Sequence, residues 1–251
     1  MTPHQDLRTA ELATRLGAVQ ARIASATAAS GRSDTPALIV VSKFHPAADV
    51  LRLHGLGVRD LGENRDQEAA AKAAAVAASG LRWHFIGQLQ SNKAKSVAAY
   101  AHSVQSIDRP ALVAALGKAV QARQQHSGRP ALRCHVQLDL SGAYPQLPSA
   151  PPLPAGGRGG AAPSELERLA ELIAGTEGLE LAGLMAVAPL GVPPEAAFEL
   201  LARASAELVK QHPQAKAVSA GMSHDLEAAI AAGATHLRVG SDILGPRPTV
   251  R

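Results

Sequence analysis

The sequence predicts an α/β protein built as a single (β/α)8 TIM-type barrel with an extra N-terminal helix. Three observations predict it. Short apolar runs alternate with segments of helical period along the whole 251-residue chain. Gly57, Gly80, Gly178 and Gly233 each close a helix-like segment just ahead of an apolar run, as in the short αβ loops of a parallel sheet. Polar residues also gather where several of these runs finish, as at the active-site end of a barrel. An open doubly wound sheet uses the same units and is the alternative.

The elements follow in order. Residues 5–28 carry Leu12, Leu16, Val19 and Ile23 at helical spacing, which predicts a helix lying as a lid over one end. Strands are expected at Leu38–Lys43, Arg59–Glu63, Arg82–Gly87 and Ser103–Asp108, and then at Leu132–Leu140, Glu180–Val187, Ala215–Ala220 and His236–Ser241. Between them, a helix at Glu165–Ala174 aligns Leu166, Leu169, Leu172 and Ile173. Another at Ala196–Lys210 aligns Phe198, Leu201 and Leu208, and Leu226 with Ile230 marks the last long helix. Residues 141–163, "SGAYPQLPSAPPLPAGGRGGAAP", break the rhythm. Their proline and glycine content predicts a flexible surface insert in one domain spanning 1–251, with Tyr144 reaching the site only if the insert acts as a lid.

Composition narrows the function. Hydrophobic residues make up 46% and aromatics only 2%, so the core is expected to be aliphatic and close-packed. The formal charge is +4 and mixed in sequence, and Arg82, Lys93 and Lys95 form the nearest approach to a basic cluster. No aromatics interleave with them, which argues against nucleic acid and leaves room for a small anionic ligand. One cysteine, Cys134, excludes an internal disulfide framework and a cysteine-based zinc site. No apolar run resembles a signal peptide or a membrane span, so a cytoplasmic protein is expected.

Lys43 ends the apolar run "ALIVVSK". A lysine there either snorkels to water or is held partly desolvated, as a nucleophilic amine that condenses with an aldehyde. From that stretch alone both readings stand. The last segment bears on the choice. Ser219 ends the seventh strand, Gly221-Met222-Ser223 turns into a helix with Ser223 as the expected N-cap, and the eighth strand finishes Arg238-Val239-Gly240-Ser241. Amides at a helix N-terminus and a glycine that admits a ligand suit a phosphate, and strands seven and eight of a barrel commonly hold one. An aldehyde-seeking amine and a phosphate cradle are jointly satisfied by pyridoxal 5′-phosphate (PLP).

The segments "VVSKFHP", "LGENRDQE", "WHFIGQLQSNK", "GLMAVAP", "SAGMSHDLEAAIAAGATHLRVGS" and "ILGPR" together resemble the YggS/PROSC family of pyridoxal phosphate homeostasis proteins over residues 36 to 247. The resemblance implies a barrel like the N-terminal domain of alanine racemase. It implies that Lys43 forms the covalent imine with PLP, and that Ser219, Gly240 and Ser241 bind the phosphate, with amides near Met222 and Ser223 in support. Position 241 is often threonine in the family, and serine keeps the hydroxyl. Arg238 matches the arginine facing the pyridine nitrogen, and Asn64 and His84 lie in motifs lining the ring side. Ala220, His224 and the insert depart from the pattern without touching these positions.

Each residue has a plainer rival reading. Arg238 pairs with a carboxylate, His84 is a buried histidine bonded to backbone, and Asn64 caps the following helix. No metal is expected. The resemblance implies a non-enzymatic monomer that carries PLP, maintains the vitamin B6 pool and supplies PLP-requiring apoenzymes. A small amino-acid racemase is the alternative. It needs a second acid/base, for which the sequence offers Tyr144, Cys134 or His135, and no separate domain supplying a tyrosine is expected. A sugar-phosphate enzyme without PLP is a third possibility.

Overall fold

A computed structural model describes residues 3–128, 130–143, 159–191 and 193–247. After helix α1 (Pro3–Ala29), strands and helices alternate as β1 (Ala37–Val41), α2 (Ala47–Gly55), β2 (Asp60–Glu63), α3 (Asp66–Ala75), β3 (Arg82–Phe85), α4 (Ala94–Tyr100), β4 (Ser103–Ile107) and α5 (Pro110–Ser127). The second half continues as β5 (Leu132–Leu138), α6 (Leu166–Ala174), β6 (Leu179–Ala186), α7 (Pro194–Gln211), β7 (Ala217–Ser219), α8 (Leu226–Ala231), β8 (His236–Val239) and α9 (Ser241–Leu244). The strands close into one parallel barrel in the order β1 to β8, and β8 pairs back onto β1 with Ala37 opposite His236 and Val40 opposite Val239. The predicted barrel is therefore the fold.

Strand alternation sorts the side chains into two cores. Outward residues such as Val40, Leu61, Phe85, Val104, Val136, Leu184 and Leu237 pack under the helices. That layer is aliphatic, as the composition predicts. The barrel interior is different. His84, Ser103, Gln105, His135, Ser219 and Arg238 are all buried there, among Ile39, Gly62 and Gly183. The expectation of an aliphatic core thus holds for the helix–sheet layer alone.

Helix α1 is not a lid. It packs against α8, α9 and α2 on the outside of the barrel. The reason lies in α9, which is only four residues long and leaves the gap between β8 and β1 uncovered. Leu12, Leu16, Val19 and Ile23 fill that gap and are all buried. Arg8 clips α1 down through Asp49 and the Leu244 carbonyl, and Arg22 does so through Asp242 and Glu227.

Residues 144–158 of the insert, including Tyr144, lie outside the described residues. The returning end is tied to the barrel: the Ala161 amide donates to the Gln137 carbonyl at 2.8 Å, and Gln137 Nε2 donates to the Gly159 carbonyl at 3.0 Å. Among the described residues no helix is long and apolar enough to cross a membrane, and no group of three or more His, Cys, Asp or Glu could hold a metal ion.

Candidate functional site

At the C-terminal mouth of the barrel a cleft of about 340 Å³ opens between the ends of β1 and β8. Its lining includes Lys43, Met222, Ser223, Arg238, Gly240 and Ser241, six of the nine residues singled out from the sequence. Phe44, His45, His224 and Arg247 complete much of the wall, and the sequence reading assigned them no role.

Lys43 does not extend β1 as expected. The strand stops at Val41, and Lys43 sits in the turn that follows. Phe44, the only non-glycine with positive φ (69°) among the described residues, makes that turn. This conformation costs a side-chain-bearing residue about 1–2 kcal/mol, so something must hold it. A buried ionic network does. Lys72 Nζ donates to the Ser42 carbonyl (2.7 Å), Glu63 Oε1 (2.7 Å) and Glu68 Oε1 (2.6 Å). The Phe44 amide donates to the same Glu68 oxygen, and Ser42 Oγ donates to Glu63 Oε1 at 2.7 Å. Burial pushes the Glu63 carboxyl up, against the downward pull of its bonds to Lys72 and Ser42. With the turn so anchored, Lys43 makes no hydrogen bond or ion pair with any described residue. The Glu68–Lys72 spacing was the available signal for this network. On a helix it reads as an exposed i,i+4 pair, and only the fold reveals it as buried.

Opposite Lys43, the turn after β7 meets the end of β8. Helix α8 begins at Leu226, so Ser223 is not its N-cap as expected. Its hydroxyl is instead 3.4 Å from that of Ser241. The Met222 amide is taken by Asp225 Oδ1 at 2.6 Å, which removes it as a donor for a ligand. Strand β8 ends at Val239, and Ser241 opens α9 rather than continuing the strand. Its amide, in the first turn, has no intrahelical acceptor. At Gly240 a Cβ would lie 3.0 Å from the Val41 carbonyl oxygen, so glycine keeps this wall open. Two hydroxyls, a first-turn amide and bare backbone make a site suited to an anion.

Arg238 forms the base of the cleft. Its Nη1 donates to Ser219 Oγ (2.7 Å) and its Nη2 to the Ala186 carbonyl (2.9 Å). Burial lowers its pKa to about 10, so it remains a cation at neutral pH. It makes no ion pair with any described residue, which sets aside the plain reading of a carboxylate partner.

The other three singled-out residues lie elsewhere. Ser219 is beneath the cleft, its hydroxyl committed to Arg238 and Gln105 and turned away from the Ser223–Ser241 pair. His84 is deeper still, bonded to Ser103 Oγ and Asp60 Oδ1, each at 2.8 Å, and it does not reach the cleft lining. Its partners are side chains, not backbone. Asn64 follows β2 with its backbone against Gly87, outside the lining. It makes no capping bond to α3, and its Oδ1 is buried without a partner among the described residues. Of the candidate second bases, Cys134 belongs to the outer aliphatic layer, where burial pushes its thiol up. His135 is wholly buried inside the barrel below the cleft, with its pKa held well down by burial and both ring nitrogens without a partner among the described residues.

Fold and site together define a small-ligand-binding barrel of the alanine racemase N-terminal-domain class, and the family model "Alanine racemase, N-terminal domain" matches residues 14–248. The pyridoxal phosphate homeostasis protein of Mycobacterium leprae is 40% identical over 250 residues, covering 95% of this chain and 94% of that protein. Its Escherichia coli counterpart is 34% identical over 244 residues, covering 94% of this chain and 97% of that one. The chain belongs to the pyridoxal phosphate homeostasis protein family. Among solved structures, PipY of Synechococcus elongatus with PLP bound superposes with a TM-score of 0.75 at 32% identity, covering 93% of this chain and all of that one. Alanine racemase of Streptomyces coelicolor shares the fold, with a TM-score of 0.70 at 18% identity, and this chain covers 58% of it.

Proposed function

We propose that this protein binds PLP in the cleft between β1 and β8 and serves in PLP homeostasis, holding the cofactor on Lys43 for delivery to apoenzymes. The observation that carries this reading is an amine without a partner among the described residues on one wall and an anion-suited pair of hydroxyls on the other, in one cleft with an arginine at its base. The cleft volume falls within the range of small-ligand sites. Bound PLP supplies an aldehyde that an amine captures and a ring that withdraws electrons.

The chain's own groups then have distinct tasks. Lys43, which lines the cleft, would hold the aldehyde end of the cofactor through its side-chain amine. Ser223, Ser241 and the backbone at Gly240 hold the phosphate. Arg238, a cation at neutral pH, would sit against the ring nitrogen and disfavour a proton there, which suits storage over turnover. Ser219 supports Arg238, and His84 and Asn64 support the walls. The names of the relatives favour the same non-enzymatic role. We extend this reading to a cytoplasmic monomer.

One observation favours the racemase alternative. His45 is buried in the same cleft as Lys43, with its Nδ1 3.9 Å from Asp49 Oδ2, and burial lowers its pKa, so at neutral pH its ring is uncharged and carries the lone pair that a base needs. Exchange of the α-hydrogen of alanine in heavy water, lost in both Lys43→Ala and His45→Ala, is the result that supports it.

The test of the main reading is the absorption spectrum of the protein loaded with PLP, before and after borohydride. A visible band that reduction removes, with a pyridoxyl-phosphate mass added to the peptide containing Lys43, is expected. A colourless protein, or a label on another lysine, overturns it.

A further inference from the structure

A line of hydrogen bonds descends from the cleft to the opposite mouth of the barrel. Arg238 Nη1 donates to Ser219 Oγ (2.7 Å), and Ser219 Oγ donates to Gln105 Oε1 (2.8 Å). Gln105 Nε2 lies 3.4 Å from His84 Nδ1, which Ser103 Oγ also approaches at 2.8 Å. His84 Nε2 is 2.8 Å from Asp60 Oδ1, and Arg82 pairs with Asp60 at the far end. Ser219, Gln105 and His84 are all buried, so no water completes their bonds freely.

The chemistry at each end sets the direction of the line. A guanidinium only donates. Ser219 must therefore offer it a lone pair and send its own proton to Gln105, whose amide oxygen must face Ser219. Nothing in the amide's shape enforces that, because its oxygen and nitrogen are nearly the same size. A flipped amide would donate to Ser219, leave the serine proton without an acceptor and compete with Arg238. The other end prevents the flip. A carboxylate only accepts, so His84 carries its proton on Nε2 toward Asp60 and exposes a lone pair on Nδ1. That lone pair takes the Ser103 O–H at 2.8 Å and also faces the Gln105 N–H at 3.4 Å, whereas a flipped amide would set its oxygen against the same lone pair, so the amide oxygen stays facing Ser219.

We propose that Asp60 and His84 are positioning residues for Arg238: the carboxylate selects the histidine tautomer, the histidine orients the Gln105 amide, and that amide turns Ser219 so that its lone pair holds the guanidinium in the cleft. With Nη2 already on the Ala186 carbonyl, both arms are then anchored and the guanidinium plane is set. The consequence for the cofactor rests on the proposal that Arg238 faces the PLP ring.

Two measurements test this. The first uses the ligand-free chain with 15N-labelled histidine and reads the side-chain nitrogens by long-range 15N–1H correlation. A proton on Nε2 of His84 is expected in the unaltered chain, becoming a mixture of tautomers in Asp60→Asn, whose amide both donates and accepts. A proton on Nδ1 in the unaltered chain, or an unchanged tautomer in Asp60→Asn, overturns the proposal. The second compares PLP loading of His84→Gln and His84→Leu by titration and absorption spectrum. Glutamine keeps an acceptor toward Gln105 and a donor toward Asp60, whereas leucine keeps only the bulk. His84→Leu is expected to weaken PLP binding about tenfold and shift the bound band, and His84→Gln to stay within about twofold of the unaltered chain. Equal losses in the two variants with unchanged bands mean that His84 only fills space. If His84→Leu does not fold, His84→Gln and Asp60→Asn still decide, because a displaced band is expected in Asp60→Asn alone. If the unaltered chain fails to load PLP on Lys43, the function proposed above fails, and the tautomer measurement still judges the hydrogen-bond line.

Discussion

Lys72 carries the heaviest electrostatic duty near the cleft. Two carboxylates and a carbonyl converge on its ammonium, which is 6% exposed. Removing one partner of such a buried group leaves uncompensated charge, at about 3–5 kcal/mol. Lys72→Ala is expected to lose stability in that range by urea unfolding, although Lys72 lines no part of the cleft. The Phe44 turn should loosen with it, so Lys43 in the surviving folded fraction should react more slowly with PLP. A loss below about 1 kcal/mol would show the network to be ornamental. Lys43→Arg is a cleaner change. Lys43 makes no bond with a described residue, so its replacement should leave the melting temperature within a few degrees while abolishing the borohydride-stable label.

At the scale of elements, α1 and the β6–β7 pair are decisive. As an outer-ring helix, α1 belongs to the cooperative core. Leu16 is 3% exposed, and Leu16→Ala should cost about 3 kcal/mol by thermal melting. A lid would instead change ligand access and leave stability alone. Between β6 and β7, Gly183 has φ 149° and would place a Cβ 1.9 Å from the Ala217 carbonyl oxygen. Gly183→Ala should therefore break the closure of the barrel and abolish soluble expression, a loss above about 4 kcal/mol. A well-folded Gly183→Ala protein would show that β7 can slide aside.

Over the whole molecule, the polar barrel interior makes stability depend on pH. Burial lowers His102 and His236 to about 4 and His135 well below its ordinary value. Unfolded, each has a pKa near 6.5. Above that value both states are neutral, and the contribution of these histidines to stability is complete. Below it, the unfolded chain takes up protons that the folded chain refuses, and each histidine withdraws about 1.4 kcal/mol per pH unit until its folded pKa is reached. The urea midpoint should be flat between pH 7 and 8 and fall steeply from 6.5 toward 4. A midpoint that holds level down to pH 4.5 would contradict the neutral interior.

Alternation of short apolar runs and helical segments, punctuated by glycines at 57, 80, 178 and 233, was enough to identify the barrel, because such patterns are local. Lys43, Arg238, Gly240 and Ser241 were also legible, since each lies at or just past the end of a strand that the apolar pattern marks. What the pattern could not show was direction and depth. His84 and Ser219 sit on the right strands yet point into the barrel beneath the cleft, and strand periodicity does not say how far down a layer lies. Nothing local marks Lys72 as buried, because the packing of α3 against Ser42 is what encloses it. Helix α1 read as amphipathic, but its place in the ring was decided by the shortness of α9, more than 200 residues away in sequence. The sequence alone thus determined which elements form and which chemistry lies near their ends, because those depend on neighbours along the chain. The tertiary structure decided which polar groups meet, because the Arg238-to-Asp60 line joins five strands whose side chains become neighbours only when the barrel closes.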